Sequence, residues 1–159
     1  MRSRDDGLWS WQIFEDGAPV IRVEGTLELG GAQGHAGFMC GGPGDDPAFY
    51  YAGLSSGDEV VLGSGASSVM TELSRVPLPA GVQAVGSHRL SLECAATGTG
   101  VDRVAVWVDD VPALDHVTAG SLGAFDKTAV YAHGDARRFG ATFDDARILS
   151  GAAYAPVGD

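Results

Sequence analysis

The sequence has 159 residues, the length of one ordinary domain and enough to bury a core without metals or dense disulfides. Its formal net charge is −11, and it contains a single lysine and no cluster of basic residues. This balance argues against nucleic acid and against an anionic membrane surface as partners, because both are bound through clusters of Lys and Arg. No apolar run approaches the roughly 20 residues that a membrane-spanning helix needs.

Alternation of apolar and polar residues predicts a series of β-strands. The clearest case is residues 20–29, where Ile21 and Val23 fall on one face and Arg22 and Glu24 on the other. The 24 glycines predict many tight turns. In chain order, the predicted strands are residues 20–29, 36–40, 49–54, 58–62, 68–73, 88–94, 101–108, 111–114, 128–133 and 139–149. No convincing amphipathic helix is predicted.

The segment 101–114 predicts a β-hairpin that turns at Asp109-Asp110. Turns of two residues need a positive φ, so Asp110 has to adopt a left-handed conformation, which aspartate tolerates better than most residues. Taken together, the strands predict an all-β fold, an antiparallel sandwich of two sheets. We expect one domain over residues 1–159 with its core at about 20–149. The segment 1–17 either packs on this core or extends it.

Motifs in both halves of the chain occur in an order that is typical of one superfamily. They are Gly37-Phe38-Met39-Cys40, Phe49-Tyr50-Tyr51, His88-Arg89-Leu90-Ser91-Leu92, the strand and hairpin from Val104 to Val111, Gly120-Ser121-Leu122-Gly123 and Phe143-Asp144-Asp145-Ala146-Arg147-Ile148. Their order resembles the concanavalin A-like lectin/glucanase and laminin-G-like superfamily of jelly-roll domains. Two positions depart from its pattern: Asp110 replaces the hairpin glycine and Asp145 the closing asparagine.

The resemblance implies a jelly-roll module that binds a ligand without catalysis, with carbohydrate or cell-wall glycan as the leading ligand class. Two alternatives stay open. One is a structural or protein-interaction domain without a small-molecule site, and the other is a glycoside-processing enzyme of the same superfamily. The oligomeric state is not predicted.

Cys40 and Cys94 occupy the places of two cysteines in bacterial cell-surface members, including extracytoplasmic domains of serine/threonine kinases and lipoproteins. The likeness implies a disulfide and therefore an extracytoplasmic or secreted location. Because the first residues lack an apolar signal stretch, we expect a piece of a longer exported protein. The alternative is two buried thiols in a cytoplasmic protein.

Five residues are predicted to contact a ligand. Trp107, Tyr51 and Tyr131 offer aromatic surfaces on which sugar rings stack, and Arg103 and His133 offer hydrogen-bonding groups. For each aromatic residue a place in the core is favoured over ligand contact, because such side chains dominate the packing of a sandwich. His35 is interpreted as a turn or surface residue.

No catalytic or metal-binding constellation is recognisable in the sequence. The E-x-D-x-x-E strand of the superfamily's retaining glycosidases is absent, Ser64 lacks a G-x-S-x-G context, and the cysteines form no CxxC motif. Aspartate pairs such as Asp45-Asp46 leave bound calcium possible, although solvated turns of an acidic protein explain them better, since aspartate is common in turns. We therefore predict a non-catalytic module without a required cofactor.

Overall fold

The computed structural model describes residues 7–31, 33–67, 69–134 and 139–150, with side chains from residue 17 onward. Within these ranges the chain forms strands β1 (Gly7–Ala18), β2 (Val20–Gly31), β3 (Gly34–Gly41), β4 (Phe49–Ser55), β5 (Glu59–Ala66), β6 (Val69–Pro77), β7 (Ser87–Ala96), β8 (Asp102–Val108), β9 (Val111–Val117), β10 (Phe125–Gly134) and β11 (Phe139–Ser150). Over the same ranges no helix is long and apolar enough to cross a bilayer.

The strands form two antiparallel sheets. Sheet A has six strands in the order β1-β10-β3-β4-β5-β6, and sheet B has five in the order β11-β2-β7-β8-β9. Strands that are distant in the chain are neighbours in both sheets, as in β10 beside β3 and β2 beside β7. The predicted all-β sandwich is confirmed, and β1, which was not predicted as a strand, forms one edge of sheet A.

The alternating apolar residues face each other between the sheets. Val23 and Leu92 from sheet B and Phe38 and Leu54 from sheet A are all buried in one core cluster. Leaving water stabilises each such side chain by about 1.5–3 kcal/mol, so this pattern holds the sheets together. The polar partners in each alternation, such as Arg22 and Glu24, lie on the outer faces.

A disulfide joins the two sheets through this core. Cys40 in β3 and Cys94 in β7 are bonded, with their Cα atoms 6.6 Å apart, and both are fully buried. The implied pairing is therefore present, and it links a central strand of sheet A to a central strand of sheet B.

The hairpin between β8 and β9 turns as predicted. Asp110 has φ 65°, and Asp109 is also left-handed with φ 51°. The Asp109 side chain explains why an aspartate suits this turn, since its Oδ1 accepts a hydrogen bond from the backbone N–H of Arg89 at 2.9 Å. Its Oδ2 pairs with His88 Nδ1 at 2.8 Å.

Candidate functional site

The five predicted ligand-contacting residues lie on opposite sides of the sandwich. Tyr51 and Tyr131 belong to strands of sheet A and pack together outside the main core, with His133 on the same strand as Tyr131. Trp107 and Arg103 belong to β8 in sheet B, on the face turned away from the core. One ligand cannot contact both groups, so at most one outer face carries the predicted site.

The outer face of sheet B is a network of charged side chains. The Arg22 guanidinium lies over the Trp107 ring, 4.6 Å from its centroid, in a cation–π contact. Arg103 forms a two-pronged ion pair with Asp115, with Nη2 2.6 Å from Oδ2 and Nε 2.9 Å from Oδ1. Because Arg22 already occupies one face of the Trp107 ring, a sugar can stack there only by displacing it.

A polar row crosses one end of sheet A on its outer face. His133 pairs with His35, His35 with Ser55, and Ser55 with Glu59, in register across β10, β3, β4 and β5. Residues directly opposite one another in antiparallel strands share a face, so these four side chains stand side by side.

Buried aromatic rings support the polar row. Tyr51 and Tyr131 meet edge to face, with ring centroids 5.4 Å apart, and only 3% and 1% of their surfaces are exposed. Burial raises the pKa of Tyr51 to about 12, so its hydroxyl stays protonated at neutral pH. These tyrosines therefore support the outer face from below, and their rings are not exposed for a sugar to stack on. The side chains of residues 9–14 lie outside the described part of the structure.

His35 is the central residue of the row. Its interpretation as a turn residue is wrong, because it is a strand residue, half-buried on the outer face of sheet A. It lies in β3 and stacks on Tyr51 at a centroid distance of 5.9 Å, and its Nδ1 shares a hydrogen bond of 3.0 Å with the Tyr131 hydroxyl. Burial, with a smaller contribution from the neighbouring His133, lowers the pKa of His35 to about 4. At neutral pH its imidazole is uncharged.

On the outer face of sheet A, Arg75 from β6 forms ion pairs with Glu59 and Glu72, and we call these three residues the clamp. Its Nη1 lies 2.6 Å from Glu59 Oε2, and its Nη2 and Nε bind both oxygens of Glu72 at 2.8 and 3.0 Å. The guanidinium holds the pKa of Glu72 below its usual range. The two carboxylates thus hold the guanidinium in one position. All three side chains are partly exposed, so their polar atoms are accessible from solvent.

The polar row and the clamp border a cavity of about 360 Å³ at this end of sheet A. It is lined by Gln33, Gly34, His35, Ser55, Ser56, Gly57, Glu59 and Arg75. Cavities that bind small molecules have volumes of about 300–1,000 Å³, so this one can hold a small polar ligand. A neutral imidazole, a serine hydroxyl, carboxylates and a guanidinium supply both donors and acceptors.

Sequence reasoning missed His35, Ser55, Glu59 and Arg75, which build the cavity. His35 could have been identified by extending the predicted strand 36–40 toward the N-terminus. In the extended strand, His35 falls on the same face as Met39. For Arg75 there was no local signal, because its partners come from β5 and from across a bulge in β6.

The acidic turn residues do not converge. In the described part of the chain no three His, Cys, Asp or Glu side chains are placed to hold a metal ion. Asp58 instead accepts a hydrogen bond from the backbone N–H of Ala84 at 2.6 Å, and Asp46 accepts one from the Ser67 hydroxyl at 2.5 Å. A rise of several degrees in melting temperature on adding calcium would indicate a bound ion, and an unchanged melting temperature would exclude one.

Gly53 shows how tightly this face is packed. A Cβ atom at Gly53 would lie 2.6 Å from the Tyr131 hydroxyl oxygen and would overlap the backbone oxygen of Ala36. We expect Gly53→Ala to lower the free energy of unfolding by about 1–3 kcal/mol, the usual cost of overpacking. Gly140→Ala is the matched control, since nothing lies within 4 Å of its added Cβ and it should be neutral or slightly stabilising. Urea denaturation measures both, and equal stability of the two variants would contradict the packing.

Solved structures share this fold at low sequence identity. The carbohydrate-binding module CBM66 from Bacillus subtilis aligns with a TM-score of 0.60 at 15% identity, over 89% of this chain and 82% of that chain. Sheep galectin-11, in complex with glycerol, aligns with a TM-score of 0.55 at 12% identity, over 89% and 96%. The alginate lyase Aly36B, in complex with alginate tetrasaccharide, aligns with a TM-score of 0.57 at 6% identity, over 85% and 71%.

The sequence itself has no significant match to a protein-family model or to a curated protein. At these identities the structural likeness shows the fold alone. Lectins, carbohydrate-binding modules and sugar-processing enzymes all occur among the structures that share it. The chain has the jelly-roll β-sandwich fold of these lectin-like proteins, consistent with the concanavalin A-like resemblance of its motifs.

Proposed function

We propose that this chain is a non-catalytic carbohydrate-binding module whose binding site is the cavity on the outer face of sheet A. The observation that carries the proposal is this polar cavity, set above buried tyrosines, on a fold shared with a carbohydrate-binding module and a galectin. Sugar hydroxyls both donate and accept hydrogen bonds, and the cavity lining offers both kinds of partner.

The arrangement of Arg75 suits hydroxyl groups in particular. Glu59 and Glu72 hold the guanidinium in one orientation, so little side-chain entropy is lost when a ligand binds. The carboxylates are acceptors and the remaining guanidinium N–H groups are donors, at fixed spacing along one rim of the cavity. One of two adjacent sugar hydroxyls can donate a hydrogen bond to a carboxylate of this rim while the other accepts one from the guanidinium.

The preferred glycan is uncharged. Two carboxylates surround the single guanidinium at the cavity, which leaves this rim with a formal charge of −1 when both are ionised. The chain as a whole carries a formal net charge of −11. Uronate or sulfate groups would be repelled by both, so neutral oligosaccharides fit this site better.

The proposed absence of catalysis has its own support at this site. A glycosidase acid needs a carboxyl group whose pKa is raised so that it is protonated near neutral pH. Arg75 has the opposite effect on Glu72, whose pKa is lowered. Incubating the protein with the oligosaccharides that it binds and analysing them by mass spectrometry would test this, and any shortened product would contradict it.

The disulfide supports a place outside the cytoplasm. Disulfides persist in oxidising compartments, and Cys40–Cys94 is buried in the core where it links both sheets. We propose a secreted or surface-exposed module with an uncharged glycan as its leading ligand.

Replacing Arg75 tests the position of the site. Arg75→Met keeps the length of the side chain but removes the guanidinium, and we expect the affinity for a neutral oligosaccharide found on a glycan array to fall at least tenfold, since hydrogen bonds to charged groups contribute about 1.5–3 kcal/mol. Isothermal titration calorimetry measures the affinity.

Arg103→Met is the matched control, because Arg103 also forms a two-pronged ion pair with a carboxylate, but on the outer face of sheet B. It should bind glycan like the wild type, as should Trp107→Ala. Loss of binding in these two variants with retention in Arg75→Met would place the site on sheet B. Tighter binding of anionic than of neutral glycans would contradict the charge argument.

One observation favours a protein partner as the second candidate. The edge strand β6 exposes Val69 by 63% and Leu73 by 40%, and the edge strand β9 exposes Val117 by 62%. Unpaired edge strands with apolar residues can pair with another chain. If no glycan binds, capture of one protein that Leu73→Lys releases would support this function instead.

A further inference from the structure

Two histidines on the outer face of sheet A stand as a cross-strand pair. His35 and His133 are direct register partners in the antiparallel strands β3 and β10. Their ring centroids are 5.1 Å apart and their planes are tilted by 43°. Both side chains are partly buried, so their positions are limited by the surrounding sheet.

We propose that His35 and His133 together bind one transition-metal ion of the Cu²⁺, Ni²⁺ or Zn²⁺ class. Metal–nitrogen bonds of about 2.1 Å, with each nitrogen about 1.1 Å from its ring centre, put two imidazole centroids about 5 Å apart at a tetrahedral angle. The observed separation equals this distance without any movement of the backbone. Water molecules complete the coordination. The metal site shares His35 with the cavity of the proposed glycan site, but metal binding does not require that a glycan binds there.

The partners of the two rings agree with this role. In the neutral tautomer that leaves His35 Nε2 open to a metal, Nδ1–H donates its hydrogen bond to the Tyr131 hydroxyl oxygen. Histidines that bind metals are oriented in this way, by a second hydrogen bond from the other ring nitrogen. On the partner strand, His133 Nδ1 is buried and has no hydrogen-bond partner in the described part of the chain.

The charges around the pair permit a cation. Apart from His133 itself, Arg75 is the positively charged group that acts on His35, and Glu72 opposes it with a negative charge. Glu59 and Glu72 both pair with Arg75, so the guanidinium is more than neutralised. Imidazole ligands select borderline transition metals, whereas Ca²⁺ and Mg²⁺ require oxygen ligands.

The test is isothermal titration calorimetry on the full chain without an affinity tag, after treatment with a chelator and dialysis. We expect one ion per chain for Cu²⁺, Ni²⁺ and Zn²⁺, with Cu²⁺ tightest, and no binding at this site for Ca²⁺. His35→Asn and His133→Asn should each weaken binding at least tenfold. Tyr131→Phe, which leaves both ligands in place, should weaken it about tenfold through the lost orientation of His35.

His88→Asn is the control variant, because His88 pairs with Asp109 at the far hairpin. It should bind metal like the wild type, and a loss there would place the ion at that hairpin and overturn the proposal. Electron paramagnetic resonance of the Cu²⁺-loaded wild type covers the case in which a variant fails to fold. Coupling to two imidazole nitrogens is the expected spectrum, and no saturable binding, or coupling to none, would refute the site.

Discussion

Reducing the Cys40–Cys94 disulfide should lower the free energy of unfolding by about 4 kcal/mol. The bond closes a loop across a sequence separation of 54, and the chain-entropy model gives this magnitude for a loop of that size. A domain of this kind has a total stability of about 5–15 kcal/mol, so the reduced protein should be marginal at 37 °C. Urea unfolding with and without a reductant measures the difference.

Comparing the oxidised and reduced wild type isolates the cross-link, because both thiols still fill the core. The double variant Cys40→Ala with Cys94→Ala should lose more, since it also removes two fully buried sulfur atoms. Alkylation of the unfolded, unreduced protein followed by mass spectrometry provides the direct check. Two alkylated cysteines, or equal stability in both redox states, would contradict a structural disulfide and with it the proposed export.

The faces of the strands could be predicted from the sequence because alternation has a local physical cause. Successive side chains of a strand point to opposite faces, so the alternation puts residues such as Val104 and Val106 on one face without knowledge of their neighbours. Both are fully buried. The same reasoning identified residues 36–40 and 88–94 as the strands that carry the cysteines, and these lie in β3 and β7.

Strand ends were less predictable wherever a bulge interrupts the alternation. The predicted strand 68–73 stops at Leu73, but β6 continues to Pro77, because Leu73 is the extra residue where the register with β5 shifts. The predicted strand 111–114 was likewise too short, and β9 reaches Val117 beyond a shift in its register with β8. A bulge inverts the side-chain alternation, so a pattern of period two ends there although the strand does not.

The candidate site could be predicted only in part, since its assembly depends on which strands are neighbours. Trp107 and Tyr51 both lie on outer faces, but they belong to different sheets. Sheet membership is set by pairing between distant segments, and no local pattern encodes it. The cavity joins His35 to Arg75 across four strands, and these residues are 40 positions apart in the chain.

Replacing Asp102 should have the largest effect of any single carboxylate in the described structure. Asp102 begins β8 and is completely buried. Its Oδ2 accepts hydrogen bonds from the Tyr50 hydroxyl at 2.9 Å and the Leu122 backbone N–H at 2.7 Å, and its Oδ1 accepts one from the Ser121 hydroxyl at 2.5 Å. The carboxylate thereby ties the segment before β10 to the core. In the sequence Asp102 lies near the start of the predicted strand 101–108, where no local pattern indicates that its carboxylate is buried.

Asp102→Ala leaves three donors without their acceptor, and we expect a loss of about 3–5 kcal/mol in the free energy of unfolding, the usual cost of breaking a buried charged network. Asp102→Asn should also be destabilising, because both carboxylate oxygens are acceptors and an amide retains only one. Asp45→Asn, at an exposed loop position, is the matched control and should change stability by less than about 0.5 kcal/mol.

A double-mutant cycle with Tyr50→Phe separates the network from simple packing. Tyr50→Phe alone should cost about 1–2 kcal/mol, since the ring remains in the core and only the hydroxyl is lost. In combination with Asp102→Ala the two losses should be less than additive, because the second change removes a donor that no longer has its acceptor. Fully additive losses would show that Asp102 and Tyr50 stabilise the protein independently, and the network would then not be the reason that the carboxylate is buried.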